Sequence, residues 1–261
     1  MTSPILAGSQ FLSLRKPFTP RILSAISQTL KARAPAVCFP TDSEPVRGQA
    51  GVLVPLCNVN EVPGILFEVR GKALRTHSGE VSFPGGRVDD TDESIQDAAL
   101  RETHEELGIV PGQVQILGEF GPFERTLRGD MRVWPYVGFI HRDIARPHYG
   151  PDDPLPSVDL HAIREQKALA EVADVFHLPL AEIQPRTRLS YFRGHQPYNA
   201  VNVSDLAAPG RYAAMTRNSP LQSDEDDSEM GASGDPEAKL EIWGLTGWYL
   251  TLLTRIMQGD M

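Results

Sequence analysis

The sequence predicts an α/β fold, because strand-like and helix-like patterns alternate along a chain long enough for one full domain. The chain has 261 residues, of which 41% are hydrophobic, and this is enough to bury a sizeable core. Runs rich in β-branched, aromatic and other apolar residues predict four strands: Ala50–Leu56, Ile65–Arg70, Val114–Phe120 and Arg132–His141. The alternation is compatible with a layered fold but does not by itself select one topology.

An amphipathic helix is predicted near each end of the domain. Ile22, Ile26 and Leu30 recur at helical spacing within residues 20–33, which gives that segment one apolar face. The same spacing links Leu245, Trp248, Tyr249, Leu252 and Ile256. The stretch Leu245–Met257 is too short and too polar to span a bilayer. We therefore expect both helices to pack on the domain, and no membrane partner.

A third helix is predicted within Gly85–Ile109, after a Gly-Gly turn and an acidic loop. Asp92 is its expected N-cap, and Gly108 its expected end. An apolar stripe, which includes Ala99 and Leu107, gives this helix a face that can pack against a core.

Three carboxylates lie beside that stripe. On an ideal helix Glu102, Glu105 and Glu106 share an arc of about 100°. Like charges at this spacing repel, and a divalent cation reverses the sign of that interaction. Mg²⁺ prefers carboxylates, water and phosphate oxygens. The pattern therefore predicts metal-assisted chemistry on a phosphate-containing substrate, and a solvated acidic helix face is the alternative.

The surrounding residues resemble the Nudix box, G-x5-E-x7-R-E-U-x-E-E-x-G-U, in which U is a bulky apolar residue. Its fixed places are filled by Gly86, Glu93, Arg101, Glu102, Glu105, Glu106, Gly108 and Ile109. Six residues, not five, separate Gly86 from Glu93, so either Asp92 or Glu93 takes the loop position. Thr103 stands where an apolar residue is usual, and its methyl group can still face the core.

The residues just upstream resemble a second motif, found in the coenzyme A diphosphatase branch of the Nudix hydrolases. That motif is L-L-T-x-R-[SA]-x3-R-x3-G-x3-F-P-G-G, and the branch commonly carries the lengthened loop as well. The matching residues are Arg70, Arg75, Gly79, Phe83, Pro84, Gly85 and Gly86. Phe67, Glu68 and Gly71 depart from its usual letters.

The resemblance implies a Nudix α/β/α sandwich, with a mixed sheet between helices, and an enzyme. The implied reaction is hydrolysis of coenzyme A or acyl-coenzyme A to 3′,5′-ADP and (acyl-)4′-phosphopantetheine, with Mg²⁺ or Mn²⁺ as cofactor. The implied metal ligands are Glu102, Glu105, Glu106 and the main-chain carbonyl of Gly86.

Roles follow for the other residues of the two motifs. Glu106 and Glu105 are the expected catalytic residues, and either Glu105 or Glu171 is the general base. Arg70 and Arg75 are expected to bind substrate phosphates through charge-assisted contacts. Arg101 is expected to be structural and to tie the helix to Glu93.

Three alternatives to this function stay open. The first is a Nudix hydrolase acting on ADP-ribose, dinucleoside polyphosphates or oxidised nucleotides. The second is a non-catalytic module that senses a nucleotide metabolite, although such modules typically lose glutamates of the box. The third is an interaction protein that works through an acidic tract within residues 218–238, which hold acidic residues but no Lys or Arg.

Charge and cysteine content bound the partners and the compartment. The net charge is −9, and most of it falls in that tract, so polynucleotide binding through a basic face has no support. Cys38 and Cys57 fit no disulfide framework, which indicates a reducing intracellular compartment. The first 40 residues are basic and acid-free, as in a transit segment; peroxisome, mitochondrion and cytoplasm stay open, as does the oligomeric state.

The predicted organisation has one principal domain. Residues 1–19 form an N-terminal extension, residues 20–257 the Nudix domain, and residues 258–261 a tail. A disordered acidic insertion is predicted at about residues 214–238, inside the domain.

Overall fold

The structure is a computed structural model that describes residues 13–33, 48–71, 77–126, 131–145, 147–207 and 239–258. Its N-terminal half contains α1 Pro20–Arg33, β1 Gly48–Val59, β2 Val62–Arg70, β3 Val81–Ser82, β4 Gly85–Arg87, α2 Ile95–Leu107, β5 Val114–Glu119 and β6 Glu124–Arg125. The remainder contains β7 Met131–Ile140, α3 Leu160–Gln166, β8 Val172–Pro179, α4 Leu180–Ile183, β9 Thr187–Phe192, β10 Gln196–Asn202, β11 Glu241–Ile242 and α5 Gly244–Gln258. The four predicted strands and the three predicted helices are all present within a few residues.

The principal sheet of the described residues is mixed and has eight strands. Its central path runs β3-β2-β1-β7-β5, with β4 paired to β1, β6 to β7 and β8 to β2. The pair β1–β7 is parallel, with Gly48 opposite Met131, and β1 pairs with β2 and β4 in antiparallel fashion. A smaller antiparallel sheet has the order β11-β10-β9.

The principal sheet lies between two layers of helices. Along β1, Val54 and Leu56 belong to the core cluster that contains residues of α1 and α5. The alternate residues Leu53 and Cys57 belong to a second cluster, with residues of α2 and α3. Successive side chains of a strand point to opposite faces, so the sheet is buried on both faces and the predicted α/β/α arrangement is confirmed.

The terminal helices pack as their apolar faces predict, with small shifts. In α1 the buried residues are Leu23, Ile26 and Leu30, whereas Ile22 is only partly buried. The core includes Phe18, which the sequence places in the N-terminal extension. Its ring contacts that of Phe139 with centroids 5.7 Å apart, so the packed chain begins before residue 20.

Several sequence predictions lie outside the described residues. They include the acidic insertion at about 214–238, the tail beyond residue 258, and most of the N-terminal extension. Between the end of β7 at Ile140 and the start of α3 at Leu160, the described residues contain no regular element. In the described ranges, no helix is long and apolar enough to cross a membrane.

Candidate active site

The Gly-Gly turn lies at the centre of the principal sheet. In the β1–β4 pair, Gly85 is opposite Val52 and Gly86 opposite Gly51. Gly85 has φ of 149°, a conformation that favours glycine, and a Cβ there would lie 2.3 Å from the carbonyl oxygen of Gly51. A Cβ on Gly86 would lie 2.3 Å from Oε1 of Glu102. The two glycines therefore let the chain approach β1 on one side and α2 on the other.

Helix α2 has a different N-cap from the predicted one. Ser94, not Asp92, caps the helix, and its hydroxyl accepts a hydrogen bond from the Asp97 amide at 3.1 Å. The helix ends at Gly108 as predicted, since Gly108 has φ of 72° and its amide donates to the His104 carbonyl at 2.9 Å. Asp92 was a plausible cap by residue type, but it serves another role.

Asp92 is the partner of Arg101, and this corrects the expected pairing of Arg101 with Glu93. The guanidinium donates from Nε to Asp92 Oδ1 at 2.9 Å and from Nη2 to Asp92 Oδ2 at 3.0 Å. It also donates to the carbonyl of Arg87 at 3.0 Å, while Glu93 is exposed. The hydrogen bonds from Arg101 lower the pKa of Asp92. The extra loop residue thus shifts the loop carboxylate by one position.

The three glutamates of the box lie in different environments. Glu105 is 54% exposed and contacts Nη1 of Arg101 at 3.1 Å. Glu102 is 19% exposed and contacts the same nitrogen at 3.1 Å. Glu106 is only 6% exposed, and its Oε2 accepts a hydrogen bond from the Gly85 amide at 2.9 Å. Glu102 and Glu106 therefore face the Gly-Gly turn, and Glu105 is held towards Arg101.

A fourth carboxylate, Glu68 on β2, joins this group. Its side chain is fully buried, and its Oε1 accepts a hydrogen bond from the Ser82 hydroxyl at 2.9 Å. Arg70 Nη1 lies 3.7 Å from Glu68 Oε1 and 3.9 Å from Glu106 Oε1. In the sequence, Glu68 stands out only as a departure from the upstream motif. A charged residue inside the otherwise apolar run Ile65–Val69 was the available signal, because buried charges require partners.

Burial and mutual repulsion govern the electrostatics of this group. Burial raises the pKa of Glu106, and the neighbouring charge of Glu68 raises it further. Burial likewise raises the pKa of Glu68. It also raises the pKa of Glu102, which is only partly buried. The charge of Glu171, an exposed residue, contributes to the raised pKa of both Glu68 and Glu102. These carboxylates therefore form one electrostatic unit, defined here as the acidic cluster: Glu68, Glu102 and Glu106.

The acidic cluster fits a divalent cation in its chemistry. Glu68 Oε2 is buried and, among the described residues, has no hydrogen-bond partner. The missing Cβ of Gly86 leaves room beside the Glu102 carboxylate. In the described part of the chain, however, no three His, Cys, Asp or Glu side chains already stand in a geometry that could hold a metal ion. Arg70 is the cation that now lies between Glu68 and Glu106.

Three further residues of the two motifs are Arg75, His77 and His104. Arg75 lies outside the described residues, so its role as a phosphate ligand stays a prediction. His77 is exposed and pairs through Nδ1 with Glu80 at 3.0 Å, and His104 is exposed on α2. Neither histidine joins the acidic cluster.

Comparison with known proteins supports the resemblance seen in the sequence. The family model described as NUDIX domain matches residues 48–188, more than half of the chain. A protein of Enterobacter sp. (strain 638) named Uncharacterized Nudix hydrolase NudL is 43% identical over 136 residues, which cover 52% of this chain and 59% of that protein. Its namesake in Cronobacter sakazakii is 41% identical over 134 residues, covering 51% and 58%. The chain thus spans less than two thirds of these relatives.

Solved structures with related sequences are more distant. A MutT/nudix family protein from Enterococcus faecalis has a TM-score of 0.35 at 22% identity, covering 65% of this chain and 52% of that one. The NUDIX domain of Shewanella oneidensis NrtR, solved with ADP ribose, has a TM-score of 0.34 at 20% identity, covering 55% and 80%.

Proposed function

Because the chain belongs to the Nudix family, we propose that it is a metal-dependent hydrolase of the pyrophosphate in coenzyme A and acyl-coenzyme A. The products would be 3′,5′-ADP and (acyl-)4′-phosphopantetheine. A hydrolase of a nucleoside diphosphate derivative is the broader form of this proposal. Coenzyme A is the narrower form, and it needs separate support.

The observation that carries the narrower form is the upstream motif. Arg70, Arg75 and the run Gly79–Gly86 match the coenzyme A diphosphatase pattern in one register with the Nudix box. Coenzyme A has a 3′-phosphate besides its pyrophosphate, which gives a reason for additional arginines. Arg70 ends β2 directly beside Glu106, so a phosphate held there would lie next to the box glutamates.

The residues of the site divide the work of binding. Glu102, Glu106 and the Gly86 carbonyl would hold Mg²⁺ or Mn²⁺, and Glu105 stands beside them as a further candidate ligand. When bound, the metal would neutralise charge on phosphate oxygens and lower the pKa of a bound water. Arg70 uses Nη1 for the acidic cluster, and a guanidinium has five N–H donors, so other donors remain for a phosphate. Arg101 would position α2 through Asp92.

Two carboxylates are candidates for the general base. Glu105 is the more exposed of the box glutamates, and Glu171 precedes β8 beside the acidic cluster. A base must be reached by water, and both residues are exposed to solvent. Glu105→Gln and Glu171→Gln separate them: loss of the base lowers kcat while Mn²⁺ affinity is retained.

The test is a substrate panel with the purified chain and Mg²⁺ or Mn²⁺. It compares coenzyme A, acetyl-coenzyme A, ADP-ribose, a dinucleoside polyphosphate and oxidised dGTP, with products identified by mass. The proposal expects 3′,5′-ADP from coenzyme A and loss of that product in Glu106→Gln. Glu61→Gln, at an exposed residue in the turn between β1 and β2, is the matched control and is expected to be fully active.

The outcomes separate the two forms of the proposal. Rapid cleavage of ADP-ribose with coenzyme A untouched would reject coenzyme A as substrate but keep a Nudix hydrolase. No hydrolysis of any member, with tight binding of one of them, would replace the enzyme by a nucleotide-binding module.

A further inference from the structure

Glu68 has no counterpart in the Nudix box or in the upstream motif, where a threonine is usual at its place. It stands on β2 rather than on α2, in register with Ser82 of β3. Its neighbours on the strand, Phe67 and Val69, are buried apolar residues. A carboxylate at such a position is retained only with compensating partners.

The partners of Glu68 satisfy one oxygen and leave the other without any. Oε1 accepts from Ser82 at 2.9 Å and lies 3.7 Å from Arg70 Nη1. Oε2 is buried and, across the described residues, has no hydrogen-bond partner. Burying an ionised oxygen without a donor or a cation is strongly unfavourable. The unfilled oxygen therefore indicates a ligand in the functional state.

The charge balance of the cluster indicates which ligand. When ionised, Glu68, Glu102 and Glu106 carry three negative charges, and Arg70, which lies between two of them, carries one positive charge. One divalent cation would neutralise the remainder. Arg101 also contacts Glu102 at 3.1 Å, but its positive charge is matched by the negative charge of Asp92, which it binds at two points.

We propose that Glu68 is a further ligand of the divalent cation at this site, and that it contributes Oε2 alongside the carboxylates of Glu102 and Glu106. This rests on the proposed function for the presence of the cation, but not for the identity of the substrate. The cation would replace Arg70 Nη1 as the partner of Glu68 and Glu106. The guanidinium would then be released towards the phosphate.

The test measures Mn²⁺ affinity in the absence of any substrate, by electron paramagnetic resonance of free Mn²⁺. Glu68→Gln keeps the size of the side chain and an acceptor for Ser82, but replaces the charged oxygen by a donor. We expect its Kd for Mn²⁺ to rise about tenfold or more. Glu61→Gln makes the same chemical change at an exposed position and is expected to leave the Kd unchanged. A Kd within twofold of the unmodified protein for Glu68→Gln would overturn the proposal.

A double-mutant cycle distinguishes direct binding of the cation by Glu68 from a purely structural role, in which Glu68 only holds Arg70. If Glu68 binds the cation itself, Glu68→Gln raises the Kd as strongly in an Arg70→Gln background as alone, and Arg70→Gln alone lowers the Kd. If Glu68 acts through Arg70, its substitution has no effect in that background, and the proposal fails. Should Glu68→Gln not fold, Glu68→Asp, which keeps the charge but shortens its reach, decides the question by the same measurement.

The outcome is independent of the substrate test. A raised Kd in Glu68→Gln, with coenzyme A left intact by the unmodified protein, would keep the ligand assignment and reject the substrate. Cleavage of coenzyme A with an unaltered Kd in Glu68→Gln would do the reverse.

Discussion

Glu105 and Glu106 are neighbours in the sequence and opposites in the structure. Glu105 is more than half exposed and pairs with Arg101, whereas Glu106 is buried beside Glu68 and accepts a hydrogen bond from the Gly85 amide. Glu105 pairs with a charge of opposite sign, whereas Glu106 lies among more negative charges than Arg70 alone can balance. The contacts of Arg101 therefore position α2, whereas the repulsion between Glu106 and Glu68 would be relieved by a bound cation.

This difference teaches that similar glutamates of one motif need not have similar energetic roles. Exposed ion pairs contribute little to stability because solvent and salt screen them. Buried like charges oppose folding until a counter-ion binds. Metal binding should therefore depend on Glu106 far more than on Glu105.

The largest effect is expected for Glu106→Gln compared with Glu105→Gln. Loss of Glu106 should lower kcat/KM by about 100- to 1,000-fold, since metal-based charge stabilisation contributes several kcal/mol to the transition state. Mn²⁺ affinity should fall in Glu106→Gln and hold in Glu105→Gln. Steady-state kinetics and Mn²⁺ titration measure both quantities. Equal losses of Mn²⁺ affinity in the two variants would break the comparison.

Gly86→Ala should have the next largest effect. A Cβ at Gly86 would meet Glu102 Oε1 at 2.3 Å and push that carboxylate away, so we expect Mn²⁺ affinity to fall about tenfold. The fold should persist, because the atom met is the end of a flexible side chain. Gly48→Ala is the matched control, since a Cβ there meets nothing within 4 Å. A normal Mn²⁺ affinity in Gly86→Ala would show that Glu102 does not need its present position.

The ion pair that positions α2 is tested by Asp92→Asn compared with Glu93→Gln. Asp92 holds Arg101 at two points, so its substitution should loosen α2 and lower kcat/KM on the order of tenfold. Glu93 is exposed, and its substitution should leave kcat/KM nearly unchanged. Kinetics of the two purified variants decide the matter, and a larger loss in Glu93→Gln would restore the pairing expected from the motif.

The smallest effect concerns pH and stability without metal. The pKa of Glu106 is raised in the folded state, whereas an unfolded glutamate has a pKa of about 4.3. Below that value both states are protonated and nothing is lost. As pH rises from there through the raised pKa, the unfolded state releases its proton first, so stability falls.

Thermal unfolding in EDTA measures this trend. We expect the melting temperature of the unmodified protein to fall relative to Glu106→Gln as pH increases from about 4.5 towards 8. The difference between the two proteins isolates Glu106 from carboxyls with lowered pKa values, such as Asp92. If the difference in melting temperature between the two proteins stayed the same across this pH range, the raised pKa of Glu106 would be contradicted.

The sequence predicted much of the fold because periodicity reports which faces are buried. The central helix, its end at Gly108 and the four strands all follow from local patterns. The N-cap did not, because Asp92 and Ser94 are both good capping residues and only the position of Arg101 selects between them. Local sequence contains no such information about a distant partner.

The same limit applies to the site. The helix spacing placed Glu102, Glu105 and Glu106 on one face, but only tertiary packing shows that Glu106 is buried and Glu105 is not. Glu68 lies on β2, far from the box glutamates in the chain, and only tertiary packing brings it beside Glu106, so no spacing rule could reveal it. Its charge within an apolar strand was the one local sign.

The parallel pairing of β1 with β7 has a consequence for how the protein folds. Strands β2 to β4 and helix α2 all lie between these two strands in the chain. The pairing of β1 with β2 and with β4 closes much shorter segments of the chain. Because long-range pairing requires the closure of a long loop, it forms late. We therefore expect the Gly-Gly turn and α2 to dock on β1 early and β7 to complete the sheet in the slow step. Because the acidic cluster would then be assembled before the slow step, a cation bound to it should speed refolding.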